Sequence, residues 1–430
     1  MRRYPGAREV KESIYAGRWE DAAGMLGQAL KEKESTAALN DLALVSARLG
    51  QDSRMLELIA RAEQKPDADI RVKVNHFYLS ELARLDRGRG EKALERVKEL
   101  KRGDPELKPR LSVILRTFNR GALLEEAIAS VQHQEFKDWE IVIVNDGGEQ
   151  QGVEQAVQSL WDKRMVYAYA EHSGVAGAFN VGLRLARGEF IGFLDDDDVF
   201  YPEHYSRVVD YFDSHPQAKI VFTNLQRVWL DEHGAVKKQR LDQTRAYHPA
   251  RRWGISALNF MGLVLRRECL DKVPGFIEGL QGHEDWEFTI SLNKHYSFEH
   301  LPEPAGEFRF REGLKRSSMG EAAARHKPRN LVLYYHGISP LYSFSLAQNK
   351  ISRRFLYSLS GFLRDFPQMT ECLDLKRLHD DPPYRFFYEL GKLLELDGLL
   401  PEAHAAYKYA ALLAPFKART WKKMLRTRPK

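Results

Sequence analysis

Cysteine is nearly missing from this 430-residue chain: Cys269 and Cys372 are the only two, and they form no C-x-x-C pair. That excludes a disulfide framework and a cysteine-built zinc site, and it fits a reducing, cytoplasmic compartment. Long apolar runs are missing too. No stretch approaches the ~20 residues that a membrane helix needs, and Met1-Arg2-Arg3-Tyr4-Pro5 does not lead into the apolar core of a signal peptide. The expectation is a protein that neither spans a membrane nor is secreted. A dominant charge is also absent, with 66 Lys and Arg against 60 Asp and Glu. Hydrophobic residues at 43% and charged residues at 29% exclude wholesale disorder.

The near-balance of charge hides three different regions. Residues 1–108 carry net +3, residues 109–314 net −8 and residues 315–430 net +11. At ~150 residues per domain, the length also suggests about three units. Residues 1–104 show apolar positions three and four apart, as in Leu39, Leu42, Ala43 and Val45, and are expected to be helical. Gly17 and Gly50 lie 33 residues apart, near the ~34-residue period of tetratricopeptide hairpins. Gly398-Leu399-Leu400-Pro401-Glu402-Ala403 opens the same kind of hairpin in the helical region 315–430.

Asp104-Pro105-Glu106-Leu107-Lys108-Pro109 is a linker, because its two prolines block helix continuation. Beyond it, residues 109–314 alternate apolar strands (111–115, 140–144, 165–169 and 190–194) with helices near 121–133, 151–160 and 176–186. Strands apolar along their whole length, separated by helices, indicate a mostly parallel α/β sheet covered on both faces. Such sheets bind ligands beyond the carboxyl ends of their strands. Here those ends read Arg116-Thr117-Phe118-Asn119-Arg120, Asn145-Asp146-Gly147-Gly148 and Asp195-Asp196-Asp197-Asp198. Four adjacent carboxylates repel one another, and a divalent cation shared with a phosphate is the natural compensation. An acidic loop or helix cap is the plainer reading, and the apolar strand just before the run favours the metal.

These blocks, with Gly174 to Asn180, Ala186 to Asp198, Gly275-Phe276-Ile277 and His283-Glu284-Asp285-Trp286-Glu287, resemble family 2 glycosyltransferases of the GT-A fold, in order and spacing, over residues 110 to about 312. The resemblance implies transfer of a sugar, with inversion, from a nucleotide-diphosphate sugar to a hydroxyl of a glycan or protein, with Mn²⁺ or Mg²⁺ as cofactor. It implies that Asp285, beside Glu284, is the general base. Thr117, Asn119, Asp146, Gly147, Asp195 and Asp196 would line the nucleotide-sugar site, with Asp196 near the ribose. Asp195 and Asp197 would hold the metal. Arg311 or Arg316 would pair with the diphosphate from a closing segment. The chain departs from the family at Arg116, where a proline or small residue is usual, and at Asn145, where Asp is frequent.

His172, His204 and His283 lie near these motifs, where a structural role is the commoner case. Tyr247, Trp253 and Trp286 are candidates for stacking on an acceptor sugar, with Trp286 better suited to the core. The last fourteen residues hold seven Lys and Arg and no acid, interleaved with Trp421, Met424 and Leu425. That composition suits either a solvated tail or peripheral contact with an anionic membrane at its inner face. No nucleic-acid motif appears. The rival readings are a sugar nucleotidyltransferase, which would want a Gly-rich loop after the first strand, and a helical-repeat adaptor with a silent transferase domain.

Overall fold

A computed structural model of the chain describes residues 4–68, 70–242, 260–280, 282–312, 383–396, 400–413, 421 and 423–425. The chain divides into two compact units, Met1–Arg84 with Glu321–Lys430, and Leu85–Gly320. Among the described residues no helix is long and apolar enough to cross a membrane.

The first unit opens with helices. Helices α1 (Ala7–Tyr15), α2 (Trp19–Glu32), α3 (Thr36–Arg48), α4 (Asp52–Glu63) and α5 (Ile70–Ala83) follow one another through short turns. Gly17 and Gly50 close α1 and α3 at φ of 72° and 70°, a left-handed conformation that costs glycine little. Helix α3 is buried on every side, and its Asn40 accepts a hydrogen bond from Asn75 of α5 at 2.6 Å.

Among the described residues, the second unit is built on a ten-stranded mixed sheet. Strands β2 (Leu111–Thr117), β3 (Trp139–Asn145), β4 (Met165–Ala170) and β5 (Phe190–Asp195) are mutually parallel in the order β4-β3-β2-β5. Helices α6 (Gly121–Gln132), α7 (Gln151–Ser159) and α8 (Gly174–Leu185) connect them, close to the expected positions. Beyond β5 come the short β6 (Val199–Phe200), α9 (His204–Ser214), β7 (Ile220–Leu230), β8 (Val236–Asp242), β9 (Leu263–Arg266), α10 (Glu284–Asn293) and β10 (Phe298–Arg311). The sheet continues from β5 through an antiparallel β9 to β7, which pairs in parallel with β10. The pleat divides the apolar residues of the strands between two cores. Val113 and Leu115 join Trp139, Ile141 and Ile143 beneath α6, α7 and α9. Ile114, Val142 and Val144 face α8 and α10 on the other side.

Later in the chain, the region of the Gly398 motif supplies two packed helices of the first unit, α11 (Pro383–Leu396) and α12 (Leu400–Leu413). Ala403, Ala406, Tyr407 and Ala410 of α12 are fully buried. The helical stretch expected between 315 and 382 lies outside the described residues, as does most of the basic terminus.

The structure departs from the sequence reading between the first helices and the sheet. Residues 97–102, expected to be helical, form strand β1 (Val97–Arg102), which pairs antiparallel with β4 at the sheet edge. The second unit accordingly starts at Leu85, ahead of the expected boundary at 104. The physical reason is tertiary. Lys, Glu, Leu and Arg favour a helix locally, but the open edge of β4 supplies a ladder that overrides a weak propensity. The segment is pinned further by Arg89, which donates to Gly275 O at 2.7 Å and reaches the buried Glu287 of α10 at 2.7 Å. Asn180 of α8 belongs to the same joint, donating to Glu278 and accepting from Phe276 N.

Candidate active site

The carboxyl ends of β2, β3 and β5 bring the expected polar residues together. At the end of β3, Asp146 is buried and accepts from Ser173 N at 2.7 Å and from Ser173 Oγ at 3.2 Å. His172 Nδ1 lies 3.0 Å from its other oxygen. Burial raises the Asp146 pKa above the ordinary carboxylate value, against the pull of these hydrogen bonds and of His172. Gly147 and Gly148 follow at φ of 78° and 81°. A side chain at Gly148 would overlap Asn119, whose Oδ1 accepts from Glu149 N at 2.6 Å. Asn119 is itself left-handed at φ 57°, so it serves the turn that shapes the site.

The four aspartates after β5 do not act alike. Asp196 turns inward, 2% exposed, and accepts from Thr117 Oγ1 at 2.8 Å and from Arg120 Nη1 at 3.1 Å. Burial raises its pKa although Arg116 and Arg120 oppose the shift. Asp195, Asp197 and Asp198 form the group whose ligand atoms all lie within 4.8 Å of one another. Three carboxylates suit a hard divalent cation such as Mn²⁺ or Mg²⁺. Sequence reasoning names Asp195 and Asp197 and misses Asp198, whose Oδ1 also accepts from Arg309 N at 2.8 Å. It misses Arg120 too, which spans Asp196 and Asp197 at 3.1 Å each.

Glu284 and Asp285 open α10, capped by His283 in a left-handed conformation at φ 66°. Glu284 accepts from Gly282 N at 2.9 Å, and Asp285 from Trp286 N at 2.8 Å. Burial pushes Glu284 up to about 7, helped by its neighbour Asp285. Asp285 is likewise raised, first by burial, with Asp195 adding repulsion. A carboxylate whose pKa is lifted by its surroundings is suited to taking a proton.

The remaining expectations fall differently. Arg311 ends β10 in an ion pair with Glu126 at 3.0 Å, while Arg316 lies outside the described residues. His204 is buried against Phe200 and pushed down to about 3 by desolvation, which marks a neutral structural histidine. Trp286 is buried, and Tyr247 and Trp253 lie outside the described residues. Cys269 is buried with its thiol pushed up to about 12, and Cys372 also lies outside them.

The mostly parallel sheet flanked by helices, with carboxylates at its strand ends, is of the GT-A type. Residues 112–273 match the family described as glycosyl transferase family 2. A GalNAc(5)-diNAcBac-PP-undecaprenol beta-1,3-glucosyltransferase of Campylobacter jejuni is 49% identical over 94 residues, 21% of this chain and 30% of that one. The uncharacterised glycosyltransferase YwdF of Bacillus subtilis is 25% identical over 238 residues, 54% of this chain and 86% of that one. TarS residues 1–349 of S. aureus, solved with UDP-GlcNAc, superpose with a TM-score of 0.46 at 19% identity, covering 74% of this chain and 89% of that one. The chain spans 20%, 30% and 17% of the length of three curated relatives that it matches.

Proposed function

We propose that the chain is an inverting, metal-dependent glycosyltransferase that moves a sugar from a nucleotide-diphosphate sugar to a hydroxyl of a glycan or protein. The observation that carries this reading is the placement of the raised Glu284–Asp285 pair in electrostatic reach of the Asp195 cluster. Asp146 would accept hydrogen bonds from the nucleotide base, beside the left-handed turn at Gly147 and Gly148. A divalent cation held by Asp195, Asp197 and Asp198 would neutralise charge on the departing diphosphate.

Asp285 takes the proton of the acceptor hydroxyl as its oxygen bonds to the anomeric carbon. The bond from that carbon to the phosphate oxygen breaks, and the nucleoside diphosphate leaves with the electron pair. Attack opposite the leaving group inverts the configuration. The Campylobacter relative, whose name includes an undecaprenol-linked glycan, supports a glycan acceptor here. The tetratricopeptide-like hairpins would present a protein or glycan partner, and the basic terminus would touch anionic lipid.

The test is turnover of a panel of nucleotide sugars with Mn²⁺ or Mg²⁺. Asp285→Asn is expected to lower transfer by about 10²–10⁴-fold, the range of a lost general base, with donor binding kept. Full transfer by Asp285→Asn would overturn the assignment of the base, and metal-independent turnover would overturn the metal.

A further inference from the structure

Arg116 occupies an unusual place in this site. It stands opposite Asp195 in the β2–β5 register, and its Nη2 lies 3.0 Å from Asp195 Oδ1. The guanidinium carbon sits 5.6 Å from the Phe179 ring centroid, and 13% of the side chain is exposed. Its Nε is buried without a hydrogen-bond partner, and Asp195 Oδ1 is too, so the two groups meet as an ion pair rather than through an aligned hydrogen bond. A guanidinium carries five N–H donors, and the contact to Asp195 accounts for only part of them. The carboxylates of Asp195, Asp196, Asp197 and Glu284 all act on it electrostatically. The cation therefore sits against Asp195 within the field of the carboxylate cluster and of Glu284.

We propose that Arg116 is a resident counter-cation of the donor site: it pairs with Asp195 when no divalent ion is bound, and it binds a diphosphate oxyanion when that ion takes Asp195. This rests on the metal-dependent reading above. The logic is competition followed by reuse. One carboxylate oxygen cannot serve a guanidinium and a metal fully at once, and the released fork matches phosphate geometry.

The experiment measures binding on the full chain, with no sugar transfer. Mn²⁺ affinity without nucleotide is read by electron paramagnetic resonance for the wild type, Arg116→Met and Arg116→Lys. Arg116→Met is expected to bind Mn²⁺ about ten-fold more tightly, and the gain should vanish in an Asp195→Asn background. Inorganic pyrophosphate, added with saturating Mn²⁺, is expected to bind Arg116→Met about ten-fold more weakly, with Arg116→Lys between the two. Measurable but equal Mn²⁺ affinities overturn the counter-cation, and equal pyrophosphate affinities overturn the anion contact. Absence of Mn²⁺ binding in every chain overturns the metal reading itself, and this proposal with it. If Arg116→Met does not fold, the same comparisons between Arg116→Lys and the wild type decide.

Discussion

Glu284 and Asp285 place two carboxylates where burial opposes their charge, and this has a consequence for stability as well as chemistry. Glu284 is raised from 4.5 to about 7, so the folded state holds its proton more tightly than the unfolded chain. Its effect on stability is therefore most favourable below about pH 4.5 and is lost as pH rises through about 7. Chemical denaturation of wild type and Glu284→Gln across this window should show the wild type losing stability relative to the variant. At Gly148, φ of 81° and the overlap with Asn119 leave no room for a side chain. Gly148→Ala is expected to cost about 1–3 kcal/mol, measured by thermal unfolding. The strand-end carboxylates are legible in the sequence because each follows an apolar strand run directly, which places them at the carboxyl ends of neighbouring strands. Arg116 is visible there only as a departure, since its pairing depends on the register between β2 and β5.

At the scale of elements, the parallel strands and their helices are legible because each is an unbroken apolar run between turn residues. Strand β1 is not, because its Val-Lys-Glu-Leu-Lys-Arg sequence carries little strand signal and depends on β4 for pairing. The Arg89 joint is hidden for the same reason: its partners Gly275 and Glu287 are distant in sequence. Glu287 is fully buried, so Arg89→Met removes the cation that faces a desolvated carboxylate. The expected loss is about 3–5 kcal/mol in denaturant unfolding, and Glu287→Gln added to Arg89→Met should recover part of it.

Over the whole molecule, the charge asymmetry of the sequence persists between the two units. Leu85–Gly320 holds 33 basic and 37 acidic residues, and the other unit 33 and 23. Trp421 and Leu425, both exposed, lie in the basic terminus. Flotation with phosphatidylserine vesicles should retain the full chain at low salt and lose it when residues 416–430 are removed, at up to ~1 kcal/mol per basic residue. Unchanged flotation would remove the membrane reading.

Arg89 and Glu287 are separated by 198 positions, which bears on how the domain is made. During synthesis the arginine emerges long before its partner, and the joint closes only after most of the sheet has been translated. Contacts of such range are formed slowly. The carboxylate proposed as the base rides on the same helix as Glu287, so it reaches its place late. A ribosome stalled before that helix is complete would present the sheet without the carboxylate proposed as the base.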